Sequence, residues 1–157
     1  MKIIAGVDEV GRGPLAGPVI AAAVILPKNH TIIGLKDSKK LSKARRSNLF
    51  PLIYEQAISV GLGKIDVKTI DQINIREATL KAMELALNNL SIVPHKALID
   101  GYGLDDNIIP NEGIIGGDDK IDSIKAASII AKVTRDRIME DYSIIFPEYG
   151  FETHSGY

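Results

Sequence analysis

Two segments near the start of the chain are almost wholly apolar and do not alternate with polar residues. They are residues 2–7, in a run that ends at Gly11, and Val19–Leu26. Strands of this kind are buried on both faces of a sheet. Pro27–His30 is predicted to form a turn into Thr31–Gly34, because turn-forming residues here separate apolar runs. The segments therefore predict an antiparallel meander at the centre of a covered sheet.

The rest of the chain alternates predicted helices and strands. A helix capped by Ser42 should run to about Ala57, with Pro51 kinking or splitting it. Apolar residues at helical spacing predict further helices over Asn74–Leu90 and from about Ser123 to Tyr142. The intervening strands are predicted at Ile58–Asp66, His95–Asp100 and Gly113–Gly117. This order predicts an α/β fold, a mixed β-sheet flanked by helices, in a single domain over residues 1–157.

The composition excludes several classes of protein and site. The 157 residues contain no cysteine, which excludes disulfides, thiolate zinc sites and cysteine nucleophiles and fits a reducing compartment. Asp8 and Glu9 interrupt the first apolar run too early for a signal peptide. No stretch approaches the roughly 18 apolar residues of a membrane span. A soluble, cytoplasmic protein with no membrane partner is therefore expected.

Charge is unevenly distributed although the formal net charge is only −1. A basic segment could meet phosphate groups and a later acidic stretch could hold cations. The basic residues are Lys36, Lys39, Lys40, Lys43, Arg45 and Arg46. The acidic residues are Asp105, Asp106, Glu112, Asp118, Asp119 and Asp122.

Carboxylates follow three predicted strands, in GVDEVG, LIDGYG and GGDDK. They are Asp8 and Glu9, Asp100, and Asp118 with Asp119. Functional crevices of α/β sheets form at strand ends, so neighbouring strands could bring these acids together. Acids beside glycine are also common in turns, which is the structural alternative for each motif taken alone. An oxygen-only ligand set favours Mg²⁺ or Mn²⁺ and suits two-ion phosphoryl transfer.

The adjacency of Asp8 and Glu9 raises a geometric difficulty. Successive residues of a regular strand point to opposite faces. The strand is therefore expected to end or bulge at this point, or Glu9 is expected to contribute through its backbone carbonyl. Gly11 and Gly13 would make such an irregularity inexpensive.

The glycine-rich stretch from Gly11 to Gly17 is not a dinucleotide loop. Its spacing is GxGxxxG, and Pro14 and Pro18 would disrupt the helix that such a loop requires. Its glycines could let the main chain approach a sugar or phosphate while Arg12 supplies a charged fork. The alternative is a tight turn with a surface arginine.

Taken together, the motifs resemble those of the type 2 bacterial ribonuclease H family, ribonuclease HII. The resemblance covers essentially the whole chain. In order, the motifs are GVDEVGRGPLAGPV, DSKKLS, INIREAT, LIDG, GGD, AASIIAKVTRD and YGFETHSGY. It implies a ribonuclease H-like fold and cleavage of RNA paired with DNA, including single ribonucleotides embedded in duplex DNA, leaving 3′-hydroxyl and 5′-phosphate ends.

The resemblance also assigns residues to roles. It implies that Asp8, Glu9, Asp100 and Asp118 are the catalytic metal ligands, and that Asp119 is not one. Gly11, Arg12 and Gly13 match the loop that recognises the ribose 2′-hydroxyl. Tyr157 matches a tyrosine that packs on deoxyribose, with a frayed final residue as the alternative. The other implied substrate contacts, for which solvated helix surface is the alternative, are Lys39, Lys40, Asn74, Ser128 and Lys132.

The chain departs from the family pattern at three points. Gly116 and Ser155 each stand where the family usually has a lysine, and family members usually continue beyond the tyrosine that matches Tyr157. Whether the chain is truncated or naturally short, weak substrate binding or a poorly ordered C-terminal stretch is expected. Three functions thus stay open: a monomeric metal-dependent ribonuclease H, a duplex-binding module weakened in catalysis by truncation, and a hydrolase of small phosphoesters with no basic surface near its acids.

Overall fold

The structure, a computed structural model, describes residues 2–12, 17–35, 40–104 and 109–145, with side chains up to Tyr142. The strands in these residues are β1 (Ile4–Val10), β2 (Val19–Ile25), β3 (Ser59–Ile65), β4 (Lys96–Asp100) and β5 (Asn111–Ile114). The helices are α1 (Lys43–Gln56), α2 (Val67–Ile73), α3 (Ile75–Asn88), α4 (Gly117–Lys120) and α5 (Asp122–Ile145). The predicted mixed sheet flanked by helices is confirmed.

The five strands form one sheet in the order β3-β2-β1-β4-β5. The first three are antiparallel, whereas β4 and β5 lie parallel to β1. The predicted meander is present, but its third strand is β3. Thr31–Gly34 forms no strand, because β3 pairs with β2 along its whole length, from Val19 opposite Ile65 to Ile25 opposite Ser59. Since β2 already pairs with β1 on one side and β3 on the other, Thr31–Gly34 has no free edge of β2 with which to pair.

The sheet is covered on both faces, as the unbroken apolar strands predict. On one face, Ala5 and Val7 of β1 lie in a core cluster with residues of α3. On the other face, Val10 lies in a second cluster with residues of α1 and α5, including Ile53 and Ile130. Odd-numbered residues of β1 thus face α3, and even-numbered ones face α1 and α5.

Helix α1 is a single helix although it contains Pro51. Its N-cap is Ser42, as predicted, whose Oγ accepts a hydrogen bond from the Arg45 amide at 3.1 Å. Pro51 does not split the helix, and Leu49 and Ile53 on either side of it are buried in the core. Packing of this kind offsets the one backbone hydrogen bond that proline removes.

Helix α2 was not expected, since the predicted strand ended at Asp66 and the next predicted helix began at Asn74. Asp66 caps it by accepting a hydrogen bond from the Thr69 amide at 2.8 Å. None of its residues is buried. Its apolar residues Val67, Ile70 and Ile73 do follow helical spacing, and Ile70 and Ile73 pack against the core, but seven residues are fewer than the window over which such spacing indicates a helix.

Helix α5 lies directly against β1 at Gly6. A Cβ added at Gly6 would overlap the backbone of Ser123 and Ile124. Only glycine allows this approach, which fixes the start of α5 two residues from Asp8 on the same face of β1. None of the helices in the described part of the chain is long and apolar enough to cross a bilayer.

Candidate metal centre

Asp8 is buried within a regular part of β1. The ladder to β2 is continuous from Ala5 opposite Ile25 to Val10 opposite Ile20. The strand therefore neither ends nor bulges at Asp8, so those two expectations are wrong. Asp8 shares the α5 face with Gly6 and Val10, and Glu9 points to the other face. The Glu9 amide donates a hydrogen bond to Asp8 Oδ1 at 2.8 Å.

Asp100 comes close to Asp8 through strand pairing. It is the last residue of β4, which is parallel to β1 with Val7 opposite Ile99. Parallel neighbours end at the same edge of a sheet, so Asp8 and Asp100 lie side by side at that edge. This part of the strand-end argument is confirmed.

Asp118 reaches the same place from a helix, not from a strand. The predicted strand over Gly113–Gly117 is wrong in extent, since β5 ends at Ile114. Gly116 then turns the chain in a left-handed conformation, with φ 68° and ψ 28°, into α4. The Asp118 amide donates a hydrogen bond to Asp100 Oδ1 at 3.1 Å. The adjacent glycines Gly116 and Gly117 do not by themselves indicate that the chain turns here.

These three residues, Asp8, Asp100 and Asp118, are called the aspartate trio below. One carboxylate oxygen from each lies within 4.8 Å of those of the other two. Asp8 and Asp118 are buried, at 4% and 5% exposure, and Asp100 is half-buried. The donor set consists of oxygen alone, which suits hard divalent cations such as Mg²⁺ and Mn²⁺.

Without a bound cation, the three carboxylates repel one another. Burial, followed by the charges of Asp100 and Glu9, raises the pKa of Asp8 well above its ordinary value of 3.8. The charge of Asp118 raises it further, and the hydrogen bond from the Glu9 amide opposes these effects. A divalent ion would remove this repulsion, so the residues present fit a metal site.

Asp8→Asn is expected to stabilise the protein in EDTA at neutral pH. A raised folded pKa means that Asp8 adds stability below its ordinary unfolded pKa of 3.8, and that this contribution is lost as pH rises through the raised value. Removing the charge should gain about 1 kcal/mol or more, or roughly 2–4 °C in Tm, and the gain should shrink as pH falls.

Thermal unfolding of both proteins in EDTA between pH 4 and 8 checks this. Asp71→Asn is the control, because Asp71 is exposed on α2. A lower Tm for Asp8→Asn than for the wild type at neutral pH would contradict the expectation.

The predicted sugar-recognition residues begin directly after β1. Gly11 is buried and has φ +104°, a conformation that favours glycine. The Arg12 side chain is 53% exposed, and its Nη1 lies 4.0 Å from Glu9 Oε1. Gly13 lies outside the described residues, as do Lys39 and Tyr157, so their roles stay predictions.

Lys40, from the basic segment, pairs with the acid that follows Asp118. Its side chain is 73% exposed, and its Nζ lies 3.7 Å from Oδ1 of Asp119, the neighbour of Asp118. This ion pair is open to solvent and adjoins the trio through Asp119.

The other predicted phosphate contacts occupy different environments. Asn74 has φ +90° and caps α3, its Oδ1 accepting a hydrogen bond from the Glu77 amide at 3.0 Å. Ser128 and Lys132 are buried in α5, at 5% and 2% exposure, so the alternative of solvated helix surface is wrong for both. Lys132 Nζ pairs with Asp136 Oδ1 at 2.9 Å, while burial lowers the pKa of Lys132. Their contacts with substrate stay predictions.

The sequence matches one known protein family over nearly its whole length. The family model described as Ribonuclease HII matches residues 5–157. A ribonuclease HII from Acetivibrio thermocellus is 57% identical over 156 residues, which cover 99% of this chain and 61% of that protein. One from Enterococcus faecalis is 55% identical over 156 residues, with the same two coverages of 99% and 61%. The chain thus spans about three fifths of the length of these relatives.

The fold has a close counterpart among solved structures. The crystal structure of ribonuclease H2 from Pyrococcus horikoshii matches with a TM-score of 0.82 and 32% sequence identity. The match covers 99% of this chain and 80% of that one. It confirms the ribonuclease H-like fold that the motifs imply. Since the family match extends over nearly the whole chain and the fold agrees with it, the chain belongs to the ribonuclease HII family.

Proposed function

We propose that this chain is a metal-dependent endoribonuclease that cleaves the RNA strand of RNA/DNA hybrids and single ribonucleotides embedded in duplex DNA. The observation that carries the proposal is the convergence of three carboxylates within 4.8 Å in a protein of this family. We further propose that residues 1–157 act as one catalytic domain and as a monomer.

The aspartate trio is assigned the role of metal ligands. Mg²⁺ or Mn²⁺, two ions during the reaction, would supply Lewis acidity for hydrolysis to 3′-hydroxyl and 5′-phosphate ends. The hydrogen bond from the Asp118 amide holds Asp100 Oδ1 in one orientation. Asp8 and Asp118 are buried, at 4% and 5% exposure, so little of either side chain is open to solvent. Glu9 completes the proposed ligand set, and its backbone carbonyl is the group to consider because its side chain leaves on the opposite face of β1.

Selection of RNA is assigned to residues beside the trio. Gly11, Arg12 and Gly13 are proposed to recognise the ribose 2′-hydroxyl, the group that distinguishes RNA from DNA. Lys40 is proposed to contact phosphate, together with Lys39, Asn74, Ser128 and Lys132, and Tyr157 to pack on deoxyribose. Since Gly11 follows Asp8 by three residues, sugar recognition and cleavage would take place on neighbouring atoms of one substrate.

The surroundings of the acids favour a duplex substrate over a small phosphoester. A hydrolase of small phosphoesters was expected to have no basic surface near its acids. The exposed Lys40 side chain lies beside Asp119 instead. An exposed lysine paired with the residue that follows Asp118 suits the extended phosphate backbone of a nucleic acid.

A cleavage assay tests the proposal directly. The substrate is a labelled DNA duplex with one ribonucleotide, incubated with Mg²⁺ or Mn²⁺, and the control is the same duplex made only of DNA. We expect a single cut beside the ribonucleotide that EDTA abolishes. Salt-sensitive binding to the duplex without metal-dependent cleavage would indicate a binding module and would overturn the proposed activity.

A further inference from the structure

Arg135 is a buried arginine that the proposed function does not use. It lies on α5 and is fully buried, at 0% exposure. Its Nε donates a hydrogen bond to the Pro18 carbonyl oxygen at 3.0 Å. Within the described residues, its Nη1 and Nη2 atoms have no hydrogen-bond partner. A charged group in this state costs several kcal/mol of desolvation, which an apolar side chain such as that of Met139, one turn further along α5, would avoid.

The guanidinium group lies against both ends of the connection between β1 and β2. A Cβ added at Gly11, which follows β1, would lie 2.7 Å from Arg135 Nε and 2.6 Å from the Pro18 oxygen. A Cβ added at Gly17, which precedes β2, would lie 2.7 Å from Arg135 Nη2. Two glycines of the GxGxxxG spacing therefore accommodate one arginine. This contact gives a structural reason for glycine at position 17.

We propose that Arg135 is a positioning residue for ribose recognition, holding Gly11 and Pro18 at a fixed separation and thereby setting the main chain at Gly11 and Arg12. The inference rests on the proposed function, since it concerns selectivity for the 2′-hydroxyl. Arg135 touches no substrate, because it has no exposed surface. Arg135 increases the preference of the protein for an RNA-containing duplex over an all-DNA duplex. It does not alter the positions of the aspartate trio.

The test compares binding of two duplexes that differ by one hydroxyl group. Fluorescence anisotropy gives Kd for a DNA duplex with one ribonucleotide and for the same duplex without it, with Ca²⁺ replacing Mg²⁺ to limit cleavage. Arg135→Met should reduce the preference for the ribonucleotide by about tenfold, the loss expected for one hydrogen-bonded contact. Its Kd for the all-DNA duplex should stay within about twofold of the wild-type value, since phosphate contacts are retained.

Two further measurements separate positioning from a general loss of structure. Arg137→Met is the matched control, because Arg137 is exposed on the same helix and stacks on Phe50, and it should keep the preference. The rise in Tm on adding Mg²⁺ should be the same in Arg135→Met as in the wild type. If Arg135→Met does not fold, Arg135→Lys should show faster amide hydrogen exchange at Gly11, Arg12 and Gly17 than the wild type, with exchange in β3 unchanged.

The outcomes distinguish this inference from the proposed function. A wild-type chain with no preference for the ribonucleotide overturns the proposed function and this inference together. A wild-type preference that Arg135→Met retains overturns this inference alone. Equal losses of affinity for both duplexes, or uniform exchange rates in Arg135→Lys, would show a purely structural arginine and would also overturn it.

Discussion

Asp8→Asn should lower metal-dependent cleavage by roughly a thousandfold or more. Asparagine has nearly the same volume as aspartate but no charge. The proposed metal site would therefore lose one of its three anionic side chains. Several kcal/mol of transition-state stabilisation depend on a correctly held cation, and each 1.36 kcal/mol is about tenfold in rate. Single-turnover cleavage of a duplex with one ribonucleotide, at saturating protein and Mn²⁺, measures the effect.

The paired control for this variant is Asp71→Asn, which removes an exposed carboxylate on α2. It should cleave at close to the wild-type rate. Circular dichroism of Asp8→Asn should match that of the wild type, since the fold does not depend on this charge. Unaltered turnover by Asp8→Asn would contradict its assignment as a ligand.

Among glycine-to-alanine substitutions at described residues near the aspartate trio, Gly6→Ala should lower the stability of the protein most. The added methyl group would overlap the backbone of Ser123 and Ile124, and a helix backbone cannot move aside as a side chain can. Overpacking usually costs 1–3 kcal/mol, and we expect about 3 kcal/mol or more here, equivalent to roughly 6–12 °C in Tm. Thermal unfolding measures the change, and cleavage should fall as well, because α5 could no longer lie against β1 beside Asp8.

Gly34→Ala is a matched comparison for the same added methyl group. Gly34 has φ +87°, and the nearest atom to its added Cβ is Arg45 Nη2 at 3.5 Å. That variant should lose only about 1 kcal/mol, the cost of a left-handed conformation in alanine. If Gly6→Ala proved no less stable than Gly34→Ala, close approach of α5 to β1 would not be the reason for glycine at that position.

The elements that the sequence predicted correctly are those whose burial leaves a pattern. β2 is apolar and buried on both faces, and α3 has an apolar stripe facing the sheet. Helix α2 has only seven residues, too few for the spacing of Val67, Ile70 and Ile73 to distinguish a helix from a loop. The turn at Gly116 depends on a backbone conformation, and a pair of glycines does not specify where a strand stops.

The site could be predicted in part for similar physical reasons. Asp100 ends β4 and Asp8 lies near the end of the neighbouring β1, a relation that motif spacing can indicate. The burial of Lys132 could not be predicted, because a helical lysine usually faces solvent and this one depends on its ion pair with Asp136. Arg135 falls at four-residue intervals after Ala127 and Ala131, so helical periodicity alone would have placed it on the buried face.

The pairing of β1 with β4 has a consequence for the order of folding. The two strands meet with Ile4 opposite Lys96, whereas β1 and β2 can pair across a short connection. Contacts between distant residues form slowly because loop-closure entropy must be overcome first. The antiparallel meander is therefore expected to form early and the aspartates to meet late. Their mutual repulsion would then fall on the last step of folding, where a divalent cation in solution should speed refolding and slow unfolding.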